Sequence, residues 1–281
     1  MDVITTVREM KAYVRAIHQR GETICLVPTM GYLHQGHLDL MRMGRNLADH
    51  LIISIFVNPT QFGTGEDLSV YPRDFQRDRR LSEDVGVECI FFPDVEEMYP
   101  PAYATYVNVE GMTESLCGRS RPTHFRGVTT VVAKLFNICD PDVSVFGQKD
   151  YQQLAVIRRM VEDLNMNVRV VAHPTVRETD GLAMSSRNKY LSGEQRQEAL
   201  VLSRALNMAR ELVSSGEKAA ERVRQAAIDM IASTPETVID YVEIVHPDTL
   251  HCIDVIDDCA VMALAVKIGS TRLIDNIELR L

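Results

Sequence analysis

Residues 28–37 read Pro28-Thr29-Met30-Gly31-Tyr32-Leu33-His34-Gln35-Gly36-His37. They join a strand-like apolar segment at 23–27 to a helix-like segment at 38–49. The two histidines therefore fall at the predicted start of a helix, where free backbone N–H groups and the helix dipole favour an anion. Exposed turn histidines and a metal-binding pair are the alternatives, although the His-Glu-x-x-His zinc pattern is absent. The strand before and the helix after favour phosphate binding.

Strand-like and helix-like segments alternate on both sides of this stretch. The clearest strand covers residues 51–57, a continuous apolar run typical of a parallel strand buried on both faces. The pattern predicts helices at 6–20, 38–49, 72–85, 125–139 and 151–164, and strands at 23–27, 51–57, 88–92, 104–109, 143–146 and 168–172. This alternation predicts an α/β fold with a Rossmann-like, doubly wound parallel sheet, whose ligands lie beyond the carboxyl ends of the strands.

The last third of the chain has a different pattern. Two helices at 192–214 and 217–233 are followed by strands at 238–245, 260–268 and 272–277. Helices and then strands indicate a separate, smaller C-terminal α+β domain. We therefore expect a first domain at 1–175 and a second at 176–281.

Composition limits the classes of partner and compartment. The 281 residues include 30 basic and 39 acidic side chains, a net charge of −9, which argues against a nucleic-acid partner because such binding depends on Lys and Arg. Uncharged runs are too short for a membrane span, and the N-terminus lacks the pattern of a signal peptide. Six scattered cysteines without Cys-x-x-Cys indicate reduced thiols, so we expect a cytoplasmic protein.

Three further polar segments follow predicted strands. Asn58 and Gln61 carry amides that can bind carboxylates and hydroxyls, or serve turn chemistry alone. Residues 147–150 include Lys149, a cation near a predicted helix start, and Asp150, which could simply cap that helix. Residues 184–187, Met-Ser-Ser-Arg, carry hydroxyls and a guanidinium suited to phosphate, or form a plain polar loop. The P-loop and dinucleotide fingerprints are absent.

Taken in order, these motifs resemble a known family. The His-x-Gly-His element with a Met-Ser-Ser-Arg loop is similar to the nucleotidyltransferase superfamily that includes class I aminoacyl-tRNA synthetases. The longer motifs resemble the pantothenate synthetase (pantoate–β-alanine ligase) family, and they cover residues 28–37, 56–62, 71–74, 121–128, 146–153 and 181–188. Thr60 departs from the pattern, which more often has Met at this position.

The resemblance implies a two-step reaction: ATP and pantoate form pantoyl adenylate and pyrophosphate, and β-alanine then gives pantothenate and AMP. It implies catalytic roles for His34, His37, Lys149 and Arg187, and a pantoate site at Gln61 and Gln153, with Gln61 also near β-alanine. The family describes His37 as a proton donor; we interpret it as a hydrogen-bond donor, because a helix N-terminus disfavours imidazolium. The implied ATP site comprises Met30, Gly31, Tyr32, Leu33, His34, Gln35, Gly36, His37, Gly147, Gln148, Lys149, Asp150, Val176, Met184, Ser185, Ser186 and Arg187.

The resemblance also implies Mg²⁺ as the partner of ATP, a homodimer, and a C-terminal domain that closes as a lid over the adenylate. The sequence does not choose a magnesium contact among Glu66, Asp74 and Asp78. Two other functions remain as alternatives. A tRNA synthetase would normally add a basic RNA-binding domain, whereas residues 176–281 are short and not basic. A non-catalytic nucleotide sensor would not need the amides of Gln61 and Gln153.

Overall fold

Six parallel strands form the larger sheet of the computed structural model, which describes residues 1–63 and 65–281. Their order across the sheet is β1-β4-β3-β2-β5-β6. The predicted doubly wound parallel sheet is confirmed. The strands are β1 (Asp2–Ile4), β2 (Ile24–Thr29), β3 (His50–Ile55), β4 (Cys89–Phe91), β5 (Val143–Gly147) and β6 (Arg169–His173).

Helices and short 3₁₀ turns connect these strands. The central strands are apolar at successive positions, and Ile24, Cys25, Leu26 and Val27 of β2 are all fully buried. Successive side chains point to opposite faces of a sheet, so both faces of β2 are covered. The connecting elements are α1 (Val7–His18), α2 (Gln35–Arg45), η1 (Pro59–Gln61), α3 (Phe75–Asp84), α4 (Val95–Met98), α5 (Leu116–Ser120), α6 (His124–Cys139), η2 (Gln148–Asp150) and α7 (Tyr151–Asp163).

The strand order reverses beside β2. From β2 the chain moves outward through β3 and β4 on one side, and through β5 and β6 on the other. A reversal of this kind leaves a crevice beyond the carboxyl ends of the two central strands. The loop that begins at Met30 follows β2, and Gly147 is the last residue of β5, so both segments start at this edge of the sheet.

The prediction of a strand at 104–109 is wrong. No strand covers these residues, because helix α6 satisfies the backbone of the segment instead of a neighbouring strand. The Val107 N–H donates to Thr130 Oγ1 at 3.0 Å, and the Val107 carbonyl accepts from Thr129 Oγ1 at 2.7 Å. Side chains that bond to the backbone offer an alternative to a sheet ladder, and a pattern of apolar residues does not reveal it.

The second sheet is antiparallel, in the order β7-β8-β9. The helix predicted at 192–214 is two helices that meet at Ala199, where Leu202 N–H bonds to the carbonyl of Ala199 in a tighter i to i+3 turn. Strand and helix faces share one apolar core that includes Leu206, Val223 and Leu264. These elements are η3 (Ser186–Tyr190), α8 (Gly193–Glu198), α9 (Leu200–Ser214), α10 (Ala220–Ala232), β7 (Thr237–Val245), β8 (Cys259–Ile268) and β9 (Thr271–Arg280).

The chain forms two compact units. The first contains residues 1–109, 121–148 and 156–174, and the second contains residues 110–120, 149–155 and 175–281. The sequence placed the boundary between residues 175 and 176. Among the described residues, no helix is long and apolar enough to cross a membrane.

Candidate active site

The loop after β2 owes its shape to two residues with left-handed backbone angles. Gly31 has a φ of +79° and Tyr32 a φ of +50°. The buried carboxylate of Asp78, on α3, accepts hydrogen bonds from Tyr32 N–H at 2.6 Å and Leu33 N–H at 2.8 Å. A Cβ atom on residue 31 would lie 3.0 Å from Asp78 Oδ2 and 3.0 Å from Ile55 Cγ2. The close approach of the carboxylate therefore needs glycine at this position.

The carboxyl group of Asp78 is almost completely buried. Its side chain is 1% exposed, and burial raises the pKa of its carboxyl above the ordinary value. The two backbone N–H donors and the nearby Arg77 guanidinium lower the pKa, but less than burial raises it. Both carboxylate oxygens of Asp78 hold the loop, so they are occupied by backbone donors.

His34 and His37 stand at the N-terminus of α2, as the sequence predicted. The helix begins at Gln35, with His34 as its N-cap, and the two imidazole ring centroids are 4.0 Å apart. His37 Nδ1 accepts a hydrogen bond from His34 N–H at 3.3 Å. A ring nitrogen that accepts carries no hydrogen, so neutral His37 carries its hydrogen on Nε2. This arrangement makes Nε2 a hydrogen-bond donor beside the positive end of the helix.

The amide of Gln61 is oriented by a chain of buried hydrogen bonds. Asn58 Nδ2 donates to the carbonyl of Gly127 at 3.1 Å, which identifies that atom as the nitrogen. The same Nδ2 donates to Gln61 Oε1 at 3.1 Å, so Gln61 Nε2 turns towards Met30 Sδ, 3.2 Å away. Tyr99 Oη donates to Asn58 Oδ1 at 2.8 Å and completes the chain. Gln61 is therefore held with its NH₂ group as the available donor.

The backbone of Gln61 is fixed as firmly as its side chain. Its carbonyl accepts from His124 Nδ1 at 2.9 Å and from Arg121 Nη2 at 3.2 Å. Helix α6 packs directly on η1 at Gly127, where a Cβ would lie 2.4 Å from the Thr60 carbonyl oxygen and 2.6 Å from Gln61 N. Only glycine permits this approach, since real Cβ atoms essentially never come within 3.0 Å of such atoms.

In the first unit, Gly147 ends β5 and Gln148 begins η2. The other residues of this motif belong to the second unit, where Lys149 and Asp150 complete η2. Lys149 is half-buried, and within the part of the chain that the structure describes its ammonium has no hydrogen bond or ion pair. An unpaired, half-buried cation favours an anionic ligand.

The two neighbouring glutamines of α7 have different surroundings. Gln152 is buried and structural, since it accepts from Cys117 N–H and donates to the carbonyls of Met112 and Ser115. Gln153 is half-buried, and its amide makes no hydrogen bond with any described residue. Of the two, Gln153 has the amide that a ligand can use.

Residues 176–187 form a short hairpin followed by a 3₁₀ turn. Met184 N–H donates to the Val176 carbonyl at 2.9 Å, and the hairpin turns at Gly181, which has a φ of +95°. Ser185 caps η3, because its Oγ accepts from Arg187 N–H at 3.2 Å. The predicted residues of the second unit that the hairpin brings together are therefore Val176 and Met184 to Arg187.

The three carboxylates considered for magnesium already have protein partners. Asp78 binds the loop, and Asp74 accepts from Arg77 N–H at 3.0 Å as the N-cap of α3. Glu66 pairs with Arg121, whose Nε donates to Oε1 at 2.8 Å. Burial acts to raise the pKa of Glu66, but the hydrogen bond and charge of Arg121, with smaller contributions from the Gly63 backbone and His124, together outweigh it and hold the pKa below its usual range. Among the described residues, no group of three or more His, Cys, Asp or Glu could hold a metal ion.

Sequence reasoning missed the residues that support the site. The role of Gly127 depends on an approach between α6 and η1 that no local pattern encodes. The hairpin at 176–184 and the backbone of Lys149 are held by Arg177, Asp275 and Asn276. The sequence signal for these supports was the polar pair Asp275-Asn276 inside the apolar strand pattern of β9.

Comparison with known proteins gives the same family from sequence and from structure. Residues 2–278 match the family described as pantoate-beta-alanine ligase. A pantothenate synthetase of Acetivibrio thermocellus is 57% identical over 277 residues, 99% of each chain. A pantothenate synthetase of Moorella thermoacetica is 58% identical over 279 residues, again 99% of each chain.

Two solved structures extend the similarity to the whole fold. The crystal structure of pantothenate synthetase from Thermus thermophilus superposes with a TM-score of 0.95 at 47% identity, over 100% of both chains. The pantoate-beta-alanine ligase of Francisella tularensis, complexed with beta-gamma ATP and beta-alanine, has a TM-score of 0.81 at 30% identity. That alignment covers 99% of this chain and 97% of the other.

Proposed function

The chain belongs to the pantoate–β-alanine ligase family, and we propose which of its residues carry out the family reaction. The enzyme condenses pantoate with β-alanine at the expense of ATP, and it releases pantothenate, AMP and pyrophosphate. The match of nearly the whole chain to this family is the observation that carries the function.

In the first step, a carboxylate oxygen of pantoate attacks the α-phosphorus of ATP. A P–O bond to the acyl oxygen forms, the bond to the β-phosphate oxygen breaks, and pyrophosphate leaves with the electron pair. Negative charge moves onto the departing phosphates, so catalysis requires donors that are already in place. We propose His34, His37, Lys149 and Arg187 for this role.

Two observations support these donors. The Nε2–H of neutral His37 donates without losing a proton, which suits a group that must stabilise moving charge. Lys149 is half-buried as a residue and its ammonium has no partner among the described residues, so a phosphate would supply the missing counter-charge.

The remaining ATP contacts are proposed from loops and helix starts. Residues 30–37 offer backbone N–H groups at the N-terminus of α2, which suits phosphate. Further ATP contacts are proposed at the end of β5 and in η2, at residues 147–150, and at the start of η3, at residues 184–187. Val176 acts through its backbone against adenine.

In the second step, the amine of β-alanine attacks the acyl carbon of pantoyl adenylate. The C–N bond forms, the C–O bond to phosphate breaks, AMP leaves with the electron pair of that bond, and the nitrogen gives up one proton to the solvent. We propose that Gln61 and Gln153 hold pantoate in both steps and that Gln61 also contacts β-alanine. The preset donor of Gln61 supports this proposal, because it costs no reorganisation when the ligand binds.

Magnesium enters with ATP, and among the described residues no group of three or more His, Cys, Asp or Glu is placed to hold it. Mg²⁺ usually keeps several waters and binds substrate phosphates with few protein ligands. Because Glu66, Asp74 and Asp78 are engaged by protein donors, we expect phosphate and water to be its main ligands. We further propose a homodimer in the cytoplasm, which light scattering and cell fractionation would test.

The decisive experiment supplies ATP, Mg²⁺, pantoate and β-alanine and identifies the products. We expect pantothenate, AMP and pyrophosphate in equal amounts. ATP–pyrophosphate exchange should require pantoate but not β-alanine, because the adenylate forms before the amine is needed.

Two outcomes would contradict this proposal. Exchange that appears only after β-alanine is added would exclude a free-standing adenylate step. Release of ADP and phosphate would exclude transfer of AMP altogether.

A further inference from the structure

Strand β9 contains two buried polar residues in succession. Asp275 is 2% exposed and Asn276 is 6% exposed, and neighbouring residues of a strand point to opposite faces of the sheet. A buried carboxylate or amide destabilises the fold unless it is hydrogen-bonded. Both side chains are bonded to segments that the proposed function uses.

Asp275 holds the hairpin that carries residues 184–187. Its carboxylate accepts from Arg177 Nη1 at 2.6 Å and from Arg177 Nη2 at 2.9 Å. The same guanidinium donates to the Gly181 carbonyl at 3.0 Å, at the turn of the hairpin. Arg177 also pairs across the hairpin with Ala183. Arg177 therefore connects the turn of this hairpin to the middle of β9.

Asn276 holds the backbone of Lys149. Its Nδ2 donates to the Lys149 carbonyl at 2.8 Å, and its own N–H donates to Asp275 Oδ1 at 2.8 Å. The Arg177 guanidinium reaches the Asn276 carbonyl as well, at 3.4 Å. One continuous set of hydrogen bonds thus runs from Gly181 through Arg177, Asp275 and Asn276 to Lys149.

We propose that Asp275 and Asn276 are positioning residues, which hold Lys149 and residues 184–187 in one fixed arrangement for the phosphates of ATP. The inference rests on the proposed function of Lys149 and Arg187. Donors that are fixed before the reaction stabilise developing charge without reorganisation. A buried carboxylate and a buried amide are costly ways to stabilise a strand, so their connection to these segments gives them a second purpose.

A double-mutant cycle between Asn276 and Lys149 tests this directly. Single-turnover rates of adenylate formation are measured for N276A, K149A and the double variant. If Asn276 acts through Lys149, N276A lowers the rate by about 10- to 100-fold. The double variant should then be no slower than K149A, because the residue that Asn276 positions is already gone.

Two controls separate positioning from loss of stability. Ile277→Val weakens the core at the next position of β9 without touching this hydrogen-bond set, and we expect it to lower the melting temperature but not the rate. Attack of β-alanine on supplied pantoyl adenylate should change little in N276A, because pyrophosphate has already left.

A second cycle covers the case in which N276A does not fold. Arg177→Lys keeps the charge but loses the two-pronged hydrogen bond to Asp275, and it is combined with Arg187→Ala. Non-additive rates support the proposal here as well. Effects that multiply in a cycle of folded variants would overturn the positioning role alone. An unchanged rate in K149A would overturn the role of Lys149 and the inference that rests on it.

Discussion

The two units hold the loops that we propose for phosphate binding in different ways. In the first unit, residues 30–37 turn through two consecutive left-handed residues and are held by one buried carboxylate, Asp78, which accepts from backbone N–H groups. In the second unit, residues 176–187 turn once, at Gly181, and are held by the ion pair between Arg177 and Asp275.

The difference determines what each loop is sensitive to. Asp78 accepts hydrogen bonds from neutral backbone donors, and although the Arg77 guanidinium lies 3.5 Å away, burial has the larger effect and raises the pKa of the Asp78 carboxyl. Asp275 faces a guanidinium in bidentate geometry, and removing Arg177 would leave the carboxylate of Asp275, whose side chain is 1% exposed, unpaired at a cost of about 3–5 kcal/mol. The first loop should therefore respond to shape and pH, and the second to loss of charge.

The largest expected effects come from the four proposed donors, of which two belong to each unit. His34→Ala, His37→Ala, Lys149→Ala and Arg187→Ala should each slow adenylate formation by about 10²–10³, the scale for removing one donor to developing charge. Aminolysis of supplied pantoyl adenylate should slow less. Single-turnover rates measure both half-reactions, with melting temperature recorded for each variant and the exposed Lys11→Ala as control.

If the two variants of the first unit and the two of the second unit slow adenylate formation by the same factor, this would support a common reacting group for all four donors. If the variants lose stability in step with activity, they are structural turn residues. If both half-reactions slow equally, the donors serve the phosphate of the adenylate throughout, and their assignment to departing pyrophosphate is wrong.

The next effect concerns pantoate. Gln61→Ala and Gln153→Ala should weaken the use of pantoate far more than the binding of ATP, because an unmade hydrogen bond to a buried partner costs about 1–3 kcal/mol. Gln61 should have the larger effect, since Asn58 already orients its amide, whereas the amide of Gln153 has no hydrogen bond with any described residue. The KM for pantoate measures this, with the exposed Gln76→Ala as control. Unchanged pantoate dependence in both folded variants would remove these amides from the site.

The approach of α6 to η1 should be sensitive to a single methyl group. Gly127→Ala forces backbone atoms apart, since its Cβ would lie 2.4 Å from the Thr60 carbonyl oxygen. We expect a loss of about 1–3 kcal/mol in the free energy of unfolding and a higher KM for pantoate. Gly193→Ala is the matched control, because a Cβ there meets open space. A Gly127→Ala variant with normal stability and KM would contradict the account of how Gln61 is placed.

The smallest effect is a pH dependence of the first loop. Asp78→Asn replaces the carboxyl with a neutral amide that cannot titrate and that, like the protonated carboxyl, has one acceptor oxygen for the Tyr32 and Leu33 N–H groups. Because folding raises the pKa of Asp78, its contribution to stability is fully present below the ordinary pKa and is lost as the pH rises through the folded pKa. The free energy of unfolding of the unmodified chain, relative to that of Asp78→Asn, should therefore fall as the pH rises through this window.

Urea unfolding at a series of pH values measures this dependence. The exposed Asp84→Asn on the same helix is the control. A relative free energy of unfolding that rises with pH across the same window would mean that the hydrogen bonds to the Asp78 carboxylate affect its pKa more than its burial does.

The sequence by itself determined most of the alternation of elements, the parallel class of the larger sheet, the α+β character of the C-terminal part and the positions of the polar segments after the strands. These follow from local rules: apolar runs predict buried parallel strands, and a polar loop between a strand and a helix predicts ligand contacts. The histidines at the start of α2 were predictable in this way, because the strand, the glycines and the helix are neighbours in the chain.

Only the tertiary structure decided which groups hold those segments in place. Asp78 bonds to Tyr32, 46 positions away in the sequence, and Asn276 bonds to Lys149, 127 positions away. The absence of a side chain at Gly127 lets the backbone of Thr60 approach closely. The failed strand at 104–109 has the same cause, since Thr129 and Thr130 bond its backbone from another element. Local periodicity reports which face of an element is buried, but not which distant donor or acceptor it meets, because that depends on the packing of whole helices and strands.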